Sequence, residues 1–253
     1  MVYLHDGTFE GVLSAIYTMF YAKATFDEGK LEAADAYQQS FFELTLKVPT
    51  DRENAHAVAK KLFSQFGEEG FKLIYNAYLC ENNHYGTHLF RALKVAFKAK
   101  LNTFEALQQP DILAINQMAT KVSREAHFFL GLIRFRCLEN DIYYADFEPS
   151  QNILPIIMYH FEERLSDQLW VIHDKKRGIA AFYDKNTSFL AALDSDLEMV
   201  LSQNELDWQK LWSHYVKDIA IEARKNKSLQ RQHMPKKYWP FLTEMKVEYS
   251  KRQ

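Results

Sequence analysis

Apolar positions recur with two different periods along this chain, and each change of period predicts a new element. Val2–His5 reads as a short strand, Asp6 and Gly7 form a turn, and Thr8 caps a helix expected over residues 9–24. Residues 41–48 alternate apolar and polar side chains, which predicts a second strand ended by Pro49. The chain therefore begins with a strand, a turn and a helix, followed by a further strand.

The next 80 or so residues carry a helical period and predict four helices. The first two cover residues 54–66 and 69–80, with Gly67 as the expected stop between them. A third begins near Thr87, and a fourth follows Pro110 and continues to about residue 130. This stretch predicts a helical subdomain.

Strand-like segments then alternate with a helix. Strands are expected at residues 132–138, 142–147, 169–173 and 179–183, with a helix over 152–165 between the two pairs. Helices are expected again at 189–201 and 206–223; the second carries an apolar stripe that contains Trp208, Leu211, Trp212, Tyr215 and Ile219. The order strand, strand, helix, strand, strand favours an antiparallel sheet backed by helices.

We therefore predict an α+β fold, mostly helical with one small antiparallel sheet. Residues 1–130 would form the strand-turn-helix opening and the helical subdomain. Residues 131–253 would form the sheet, its helices and a basic C-terminal tail. The two parts could equally share one continuous core.

Composition excludes several classes of protein. An apolar fraction of 47% is ample for a packed core, yet no apolar run reaches the roughly 18–20 residues that span a bilayer. Asp6 and Glu10 lie where a secretory signal would need a basic region followed by an apolar run. We expect a cytoplasmic protein with no membrane partner.

The cysteine count bears on cofactors. Cys80 and Cys137 are too few for an iron–sulfur cluster, so the sequence predicts no redox cofactor of its own. Cys80, His84 and His88 are spaced by four and could face a metal from one helix, but Gly86 interrupts that helix. A corner between two helices is the favoured interpretation, and no metal is predicted.

Charge is strongly segregated along the chain. Residues 224–253 contain nine Lys or Arg against Glu244 and Glu248, so this tail carries +7 while the whole chain carries −2. Cations attract phosphates and aromatic rings stack on exposed bases. The candidate nucleic-acid-binding residues are Arg224, Lys225, Lys227, Arg231, Lys236, Lys237, Tyr238 and Trp239. The alternative is a solvated charged surface whose Tyr238 and Trp239 anchor the tail in the core.

The residues that could transfer protons are less clearly indicated than the cations of the tail. Glu10, Glu125 and His127 are the residues that would carry acid–base catalysis if the chain is an enzyme. A Glu125 that only pairs with an arginine, bridging helix to sheet, is the favoured alternative. The chain has no glycine-rich phosphate loop, no Gly-x-Ser-x-Gly elbow and no His-Glu-x-x-His motif.

Four blocks of sequence resemble a bacterial family assigned to DNA metabolism or DNA repair and classed as a domain of unknown function. The opening block contains Asp6, Gly7, Phe9, Glu10 and Gly11, with Thr8 where the family has Ser. The later blocks contain Glu125, His127, Arg134, His160, Arg164, Trp170, Asp174 and Arg177, and then residues 230–239. The similarity spans nearly the whole chain.

This resemblance implies partners that composition does not. Members of that family are usually encoded beside a radical-SAM protein thought to act on DNA, and some relatives carry a uracil-DNA-glycosylase-like domain after this one. The present chain has no glycosylase-type loop and resembles the stand-alone form. Radical chemistry would then belong to the neighbouring protein.

The leading hypothesis is a DNA-binding accessory protein in a repair or modification system, acting with a radical-SAM partner. A stand-alone DNA-directed hydrolase or glycosylase-like enzyme that uses Glu10, Glu125 or His127 is the alternative. A third hypothesis is an adaptor whose basic tail docks on an acidic protein.

Overall fold

The computed structural model describes residues 1–22, 29–38, 42–194 and 199–245. The chain divides into two compact units, Met1–Ser123 and Arg124–Gln253. Both combine helices with a sheet, so the predicted α+β class is confirmed. The division falls within a long helix, α4 (Pro110–Leu132).

The first unit is built around a three-stranded parallel sheet of order β2-β1-β3. Its elements are β1 (Val2–His5), α1 (Phe9–Tyr21), β2 (Lys30–Ala33), β3 (Thr45–Lys47), α2 (Arg52–Tyr78), α3 (Tyr85–Lys98) and the first part of α4. All four β1 residues are buried, as a central strand requires. Helix α1 packs against α2.

The predicted strand at residues 41–48 is shorter than the alternation indicated. Only Thr45–Lys47 pairs with β1, and all three residues are exposed. Phe42 is 98% exposed, Phe41 lies outside the described residues, and Val48 is the buried member of the pattern. Strand β2 was missed, because a four-residue segment with two charges gives little periodicity.

Gly67 divides α2 as its sequence predicts. Its φ of 69° and ψ of −172° lie outside the helical region, while the helix continues on both sides. This combination of angles is essentially restricted to glycine. The two predicted helices therefore meet at a kink and are separated by no loop.

The second unit holds a five-stranded mixed sheet of order β4-β5-β6-β7-β8. Its strands are β4 (Arg136–Cys137), β5 (Tyr143–Phe147), β6 (Trp170–Asp174), β7 (Ile179–Tyr183) and β8 (Ser188–Ala192), with α5 (Leu154–Arg164) between β5 and β6. Helix α6 (Glu205–Asp218) and helix α7 (Lys227–His233) follow, with 3₁₀ turns at Glu222–Arg224, Lys236–Phe241 and Thr243–Met245.

Two sequence predictions for this sheet are wrong in detail. Strands β5 and β6 pair in parallel because α5 crosses over between them, so the sheet is mixed and not antiparallel throughout. Residues 189–192, predicted to begin a helix, belong to strand β8, which pairs with β7 across a tight turn. The remainder of that predicted helix includes residues 195–198, which lie outside the described residues.

Aromatic side chains fill the core of the second unit. Phe129 lies 4.9 Å from Phe147 and 4.6 Å from Tyr238, measured between ring centroids. Trp170 is buried and stacks on Tyr183. The C-terminal segment is thus part of this core.

No helix within the described ranges combines the length and apolar character that crossing a membrane requires.

Replacing Gly67 with alanine should lower the free energy of unfolding by about 1–3 kcal/mol, because an L side chain rarely adopts its φ and ψ. A Cβ at Gly67 would meet nothing within 4 Å, so the cost is purely one of backbone conformation. Chemical denaturation measures it. Gly131→Ala is the control, since that position is helical and equally open, and the change should be neutral or stabilising. Equal effects of the two changes would contradict the conformational argument.

Candidate nucleic-acid interface

The opening motif builds a turn that fixes the start of α1. Gly7 has a φ of 85°, and the Thr8 hydroxyl caps the helix by accepting a hydrogen bond from the Gly11 amide at 2.9 Å. The Asp6 carboxylate accepts hydrogen bonds from the Thr8 amide and hydroxyl and from the Thr50 hydroxyl at 2.6–3.0 Å. A Cβ at Gly11 would lie 2.1 Å from Asp6 Oδ1, which explains the glycine.

The other two members of that motif differ in environment. The Phe9 ring packs against Phe71, Tyr75 and Tyr78, with ring centroids 5.1–6.1 Å apart. Glu10 is exposed at the first turn of α1, where a carboxylate favours the helix dipole. The geometry of the opening motif is explained by folding alone.

In the second unit, Glu125 on α4 holds together segments that are distant in sequence. Its Oε1 accepts hydrogen bonds from the Ser150 amide at 2.8 Å and the Tyr238 hydroxyl at 2.5 Å. Its Oε2 accepts one from the Gln151 amide at 2.6 Å. Burial, followed by the hydrogen bond to Glu125, raises the pKa of Tyr238, so the phenol stays a donor.

Asp174 and Arg177 support the same loop from β6. The buried Asp174 carboxylate accepts hydrogen bonds from the Arg177 guanidinium at 2.5 Å and from the Lys176 amide at 3.1 Å. Burial raises the pKa of Asp174, and the nearby Arg177 charge offsets only part of that rise. Arg177 Nη2 also donates to the Ser150 carbonyl at 3.1 Å.

Two lysines bring exposed charge to this loop. Lys176 Nζ donates to the Ser150 carbonyl at 3.1 Å, and Lys237 Nζ donates to the Ser150 hydroxyl at 2.5 Å. Both side chains are exposed, and Lys237 Nζ lies 3.8 Å from the Glu125 carboxylate. Residues of three of the four family-like blocks therefore meet at Ser150, a residue that no sequence motif indicated.

The remaining motif residues are not part of this cluster. Arg124 and His127 are exposed, and Glu125 forms its ion pair with Lys237, at 3.8 Å, in place of the predicted arginine. Neighbouring positions on a helix point in different directions, which separates Arg124 from Glu125. His160 is half-buried and Arg164 exposed on α5.

The basic segment, residues 217–237, lies on the surface. Every cation predicted to bind nucleic acid is exposed: Arg224, Lys225, Lys227, Arg231, Lys236 and Lys237. Asn226 caps α7 by accepting hydrogen bonds from the Ser228 and Leu229 amides. Lys246, Lys251 and Arg252, also counted in the basic tail, lie outside the described residues.

Tyr238 and Trp239 anchor this segment. Each is 3% exposed, and Trp239 packs with Leu242 and Met245 while its indole donates to the Met234 carbonyl at 2.9 Å. The prediction that either ring stacks on a base is therefore wrong, because neither face is accessible. The alternative of a core anchor holds.

Exposed aromatic and aliphatic side chains occur instead on α6. Trp208, Leu211 and Tyr215 are 64%, 58% and 54% exposed. They line a groove of about 840 Å³ whose other wall includes Ile133, Arg134, Phe135, Cys137 and Tyr143. The spacing of the stripe was visible in the sequence, but its exposure was not.

Arg134 fixes one wall of the groove. Its guanidinium donates to both Glu244 oxygens, at 2.7 Å from Nη2 and 3.2 Å from Nε, and lies 5.6 Å from the Trp212 ring. Burial alone would raise the pKa of Glu244, but hydrogen bonds from Arg134 and Trp212, with the Arg134 charge, hold it below its usual value.

The Cys80, His84 and His88 triplet occupies the predicted corner between α2 and α3. His84 Nδ1 lies 3.0 Å from Glu32 and His88 Nδ1 lies 2.8 Å from Asp111, while Cys80 is buried. Within the described ranges, no three such side chains come together as a metal site would need.

Comparison with known proteins gives one match. A model of a protein family described as a domain of unknown function, DUF4130, matches residues 83–244, which leaves the opening motif outside the matched region. No curated protein matches the chain.

Replacing Glu125 with glutamine should lower the free energy of unfolding by about 1–3 kcal/mol, because an amide group cannot accept all three hydrogen bonds. Chemical denaturation measures this loss. Glu163→Gln, an exposed change on α5, removes the same charge and should have no comparable effect. A Glu125 variant as stable as the wild type would contradict the structural role.

The stability contributed by Glu244 should disappear in acid. Because its pKa is below the usual value of 4.5, the stabilisation is complete above that pH and is lost as the pH falls through the lower folded value. Over a titration from about pH 6 to about pH 3, the difference in unfolding free energy between wild type and Glu244→Gln should therefore be steady at first and shrink once the pH falls below about 4.5. A difference that stays constant over this range would show that Glu244 has an ordinary pKa.

Proposed function

This chain belongs to the DUF4130 family, and we propose that it is an accessory protein that binds nucleic acid in a DNA-repair or DNA-modification system. The observation that carries the proposal is the exposed charge of the basic segment. Residues 217–237 contain seven Lys or Arg against Asp218 and Glu222. Such a density of cations favours phosphate through counterion release.

The way in which these cations are held on the surface supports binding to a nucleic acid. Lys237 precedes Tyr238, whose side chain is buried and hydrogen-bonded to Glu125, and Lys176 extends from the neighbouring turn. Lys176 and Lys237 both donate to Ser150, so two exposed charges are held at one surface. Cations that are ordered beforehand lose less conformational entropy when they bind.

Electrostatic pairing leaves part of this charge available. Lys225 forms an ion pair with Glu222, and Lys237 lies near Glu125. The Lys225–Glu222 pair is exposed on both sides, and such pairs are weak and exchange readily with phosphate oxygens, whereas the Glu125 partner of Lys237 is buried. The remaining cations of the segment supply the excess positive charge that a nucleic acid would meet.

A radical-SAM protein is the proposed working partner, as the resemblance implies. In this arrangement the partner carries out the radical reaction, and the present chain positions the DNA. Co-elution of the two proteins in size-exclusion chromatography is the expected result, and separate elution at micromolar concentration would argue against a stable complex.

The enzyme hypothesis gains no support from the geometry. Both oxygens of Glu125 accept hydrogen bonds from main-chain amides or Tyr238, which leaves the carboxylate committed to structure. His127 is exposed on α4, and Glu10 belongs to the first unit.

Replacing Lys236 and Lys237 together with alanine should weaken binding to a DNA oligonucleotide several-fold and reduce the slope of log affinity against log salt by about one to two. Each lysine removed is one phosphate contact fewer. Fluorescence anisotropy at several salt concentrations measures both quantities.

A matched control removes the same charge elsewhere. Lys60→Ala with Lys72→Ala changes two exposed lysines on α2 in the first unit and should leave affinity and slope nearly unchanged. Equal losses in the two double variants would show that net charge alone, and not the basic segment, governs binding. An unchanged affinity in the Lys236/Lys237 variant would remove the segment from the interface.

A further inference from the structure

We infer that the groove beside α6 binds an unpaired base, which makes single-stranded nucleic acid the ligand of this protein. The inference rests on the proposed function and deepens it. Its starting point is the aromatic face of α6, on which Trp208, Trp212 and Tyr215 recur at spacings of four and three. Stacking on such rings tolerates every base and needs the base to be unpaired.

The exposure of this face is unusual. Trp208 is 64% exposed and Tyr215 is 54% exposed, whereas the other aromatic anchors of the unit, Trp170 and Trp239, are 1% and 3% exposed. A contiguous apolar stripe that is exposed on the surface commonly marks an interaction site. The described residues of the second unit do not cover it.

The helix that carries these rings is held in place. The Glu205 carboxylate at its start accepts hydrogen bonds from the Cys137 amide at 2.9 Å and the Gln209 amide group at 2.8 Å. One turn further on, the Trp212 indole donates to Glu244 at 3.0 Å. The aromatic face is thereby fixed before a ligand arrives, which lowers the entropic cost of binding.

Charge decides which part of a nucleotide fits the groove. Asp141 and Glu205 line it, and such carboxylates repel phosphate, while Arg134 is already paired with Glu244. A neutral base has no such conflict, and the Asn204 side chain, which lines the groove, carries an amide group that can hydrogen-bond with the edge of a base. The groove therefore suits a base and not the backbone.

A separate surface suits the phosphates of the nucleic acid. A second hollow of about 530 Å³ is lined by Val216 and Lys217 in the last turn of α6 and by Arg224, Lys225 and Lys227. Helix α6 thus contributes its aromatic stripe to the groove and its last turn to the cationic hollow. This combination is the one used for single strands, where phosphates follow the positive groove and bases stack beside it.

The test compares a single-stranded oligonucleotide with the duplex of the same sequence, using wild type and Trp208→Ala. The single strand should bind wild type more tightly and should quench tryptophan fluorescence. Trp208→Ala should weaken single-strand binding by about tenfold, with the salt slope and the duplex affinity little changed. Trp208→Phe keeps a stacking face and should restore most of the affinity.

The control is Tyr159→Ala, which removes an aromatic ring 60% exposed on α5 and outside the groove. It should bind like wild type, and circular dichroism should show every variant folded. Equal affinity for single strand and duplex, or a Trp208→Ala variant that binds normally, would overturn the inference and leave the basic segment as a duplex-binding surface. Absence of binding to either oligonucleotide at low salt would instead overturn the proposed function itself.

Discussion

The carboxylate of Glu125 is the interaction on which the second unit depends. It joins α4 to a loop 25 residues later and to a tyrosine 113 residues later in the chain. A buried carboxylate is tolerated only when its oxygens are hydrogen-bonded. Because the three donors come from two separate segments, satisfying one side chain places the loop after β5 and the C-terminal segment at the same time.

This placement explains why the basic segment combines two opposite characters. Tyr238 and Trp239 are buried with the core of the unit, while Lys236 and Lys237 immediately before them are exposed. The buried pair fixes the end of the segment, and the fixed end holds its lysines near the turn that bears Lys176. Anchoring and charge presentation are thus performed by adjacent residues.

Helix α6 follows a different rule. Its polar contacts at Glu205 and Trp212 hold it in position, yet Trp208 and Tyr215 of its stripe remain more than half exposed. A helix whose apolar face is open loses hydrophobic stabilisation of roughly 25 cal/mol for each Å² left in water. The hydrogen bonds of Glu205 and Trp212 offset part of this lost stabilisation. A base stacked on the helix would remove further apolar surface from water.

The sequence by itself determined local elements at positions where the residue type restricts the backbone conformation or caps a helix. Thr8 capped the predicted helix, Gly67 broke the next one, and the turn at residues 139–141 joined β4 to β5, because hydroxyl capping and positive φ are local properties. The segregated charge of the C-terminal segment was equally a matter of sequence, and those of its cations that the structure describes are exposed, as such charge requires.

Tertiary structure decided everything that depends on which face of an element is covered. The stripe on α6 and the pair Tyr238 and Trp239 look alike in sequence, since both are aromatic residues near basic ones. The stripe on α6 is exposed, whereas Tyr238 and Trp239 are buried. Tyr238 is held in the core by its hydrogen bond to Glu125 and by its contact with the Phe129 ring. Three segments of the chain likewise meet at Ser150, through hydrogen bonds of its main chain and its hydroxyl group. A serine in the sequence does not predict such contacts, because residues so far apart along the chain come together only after it has folded.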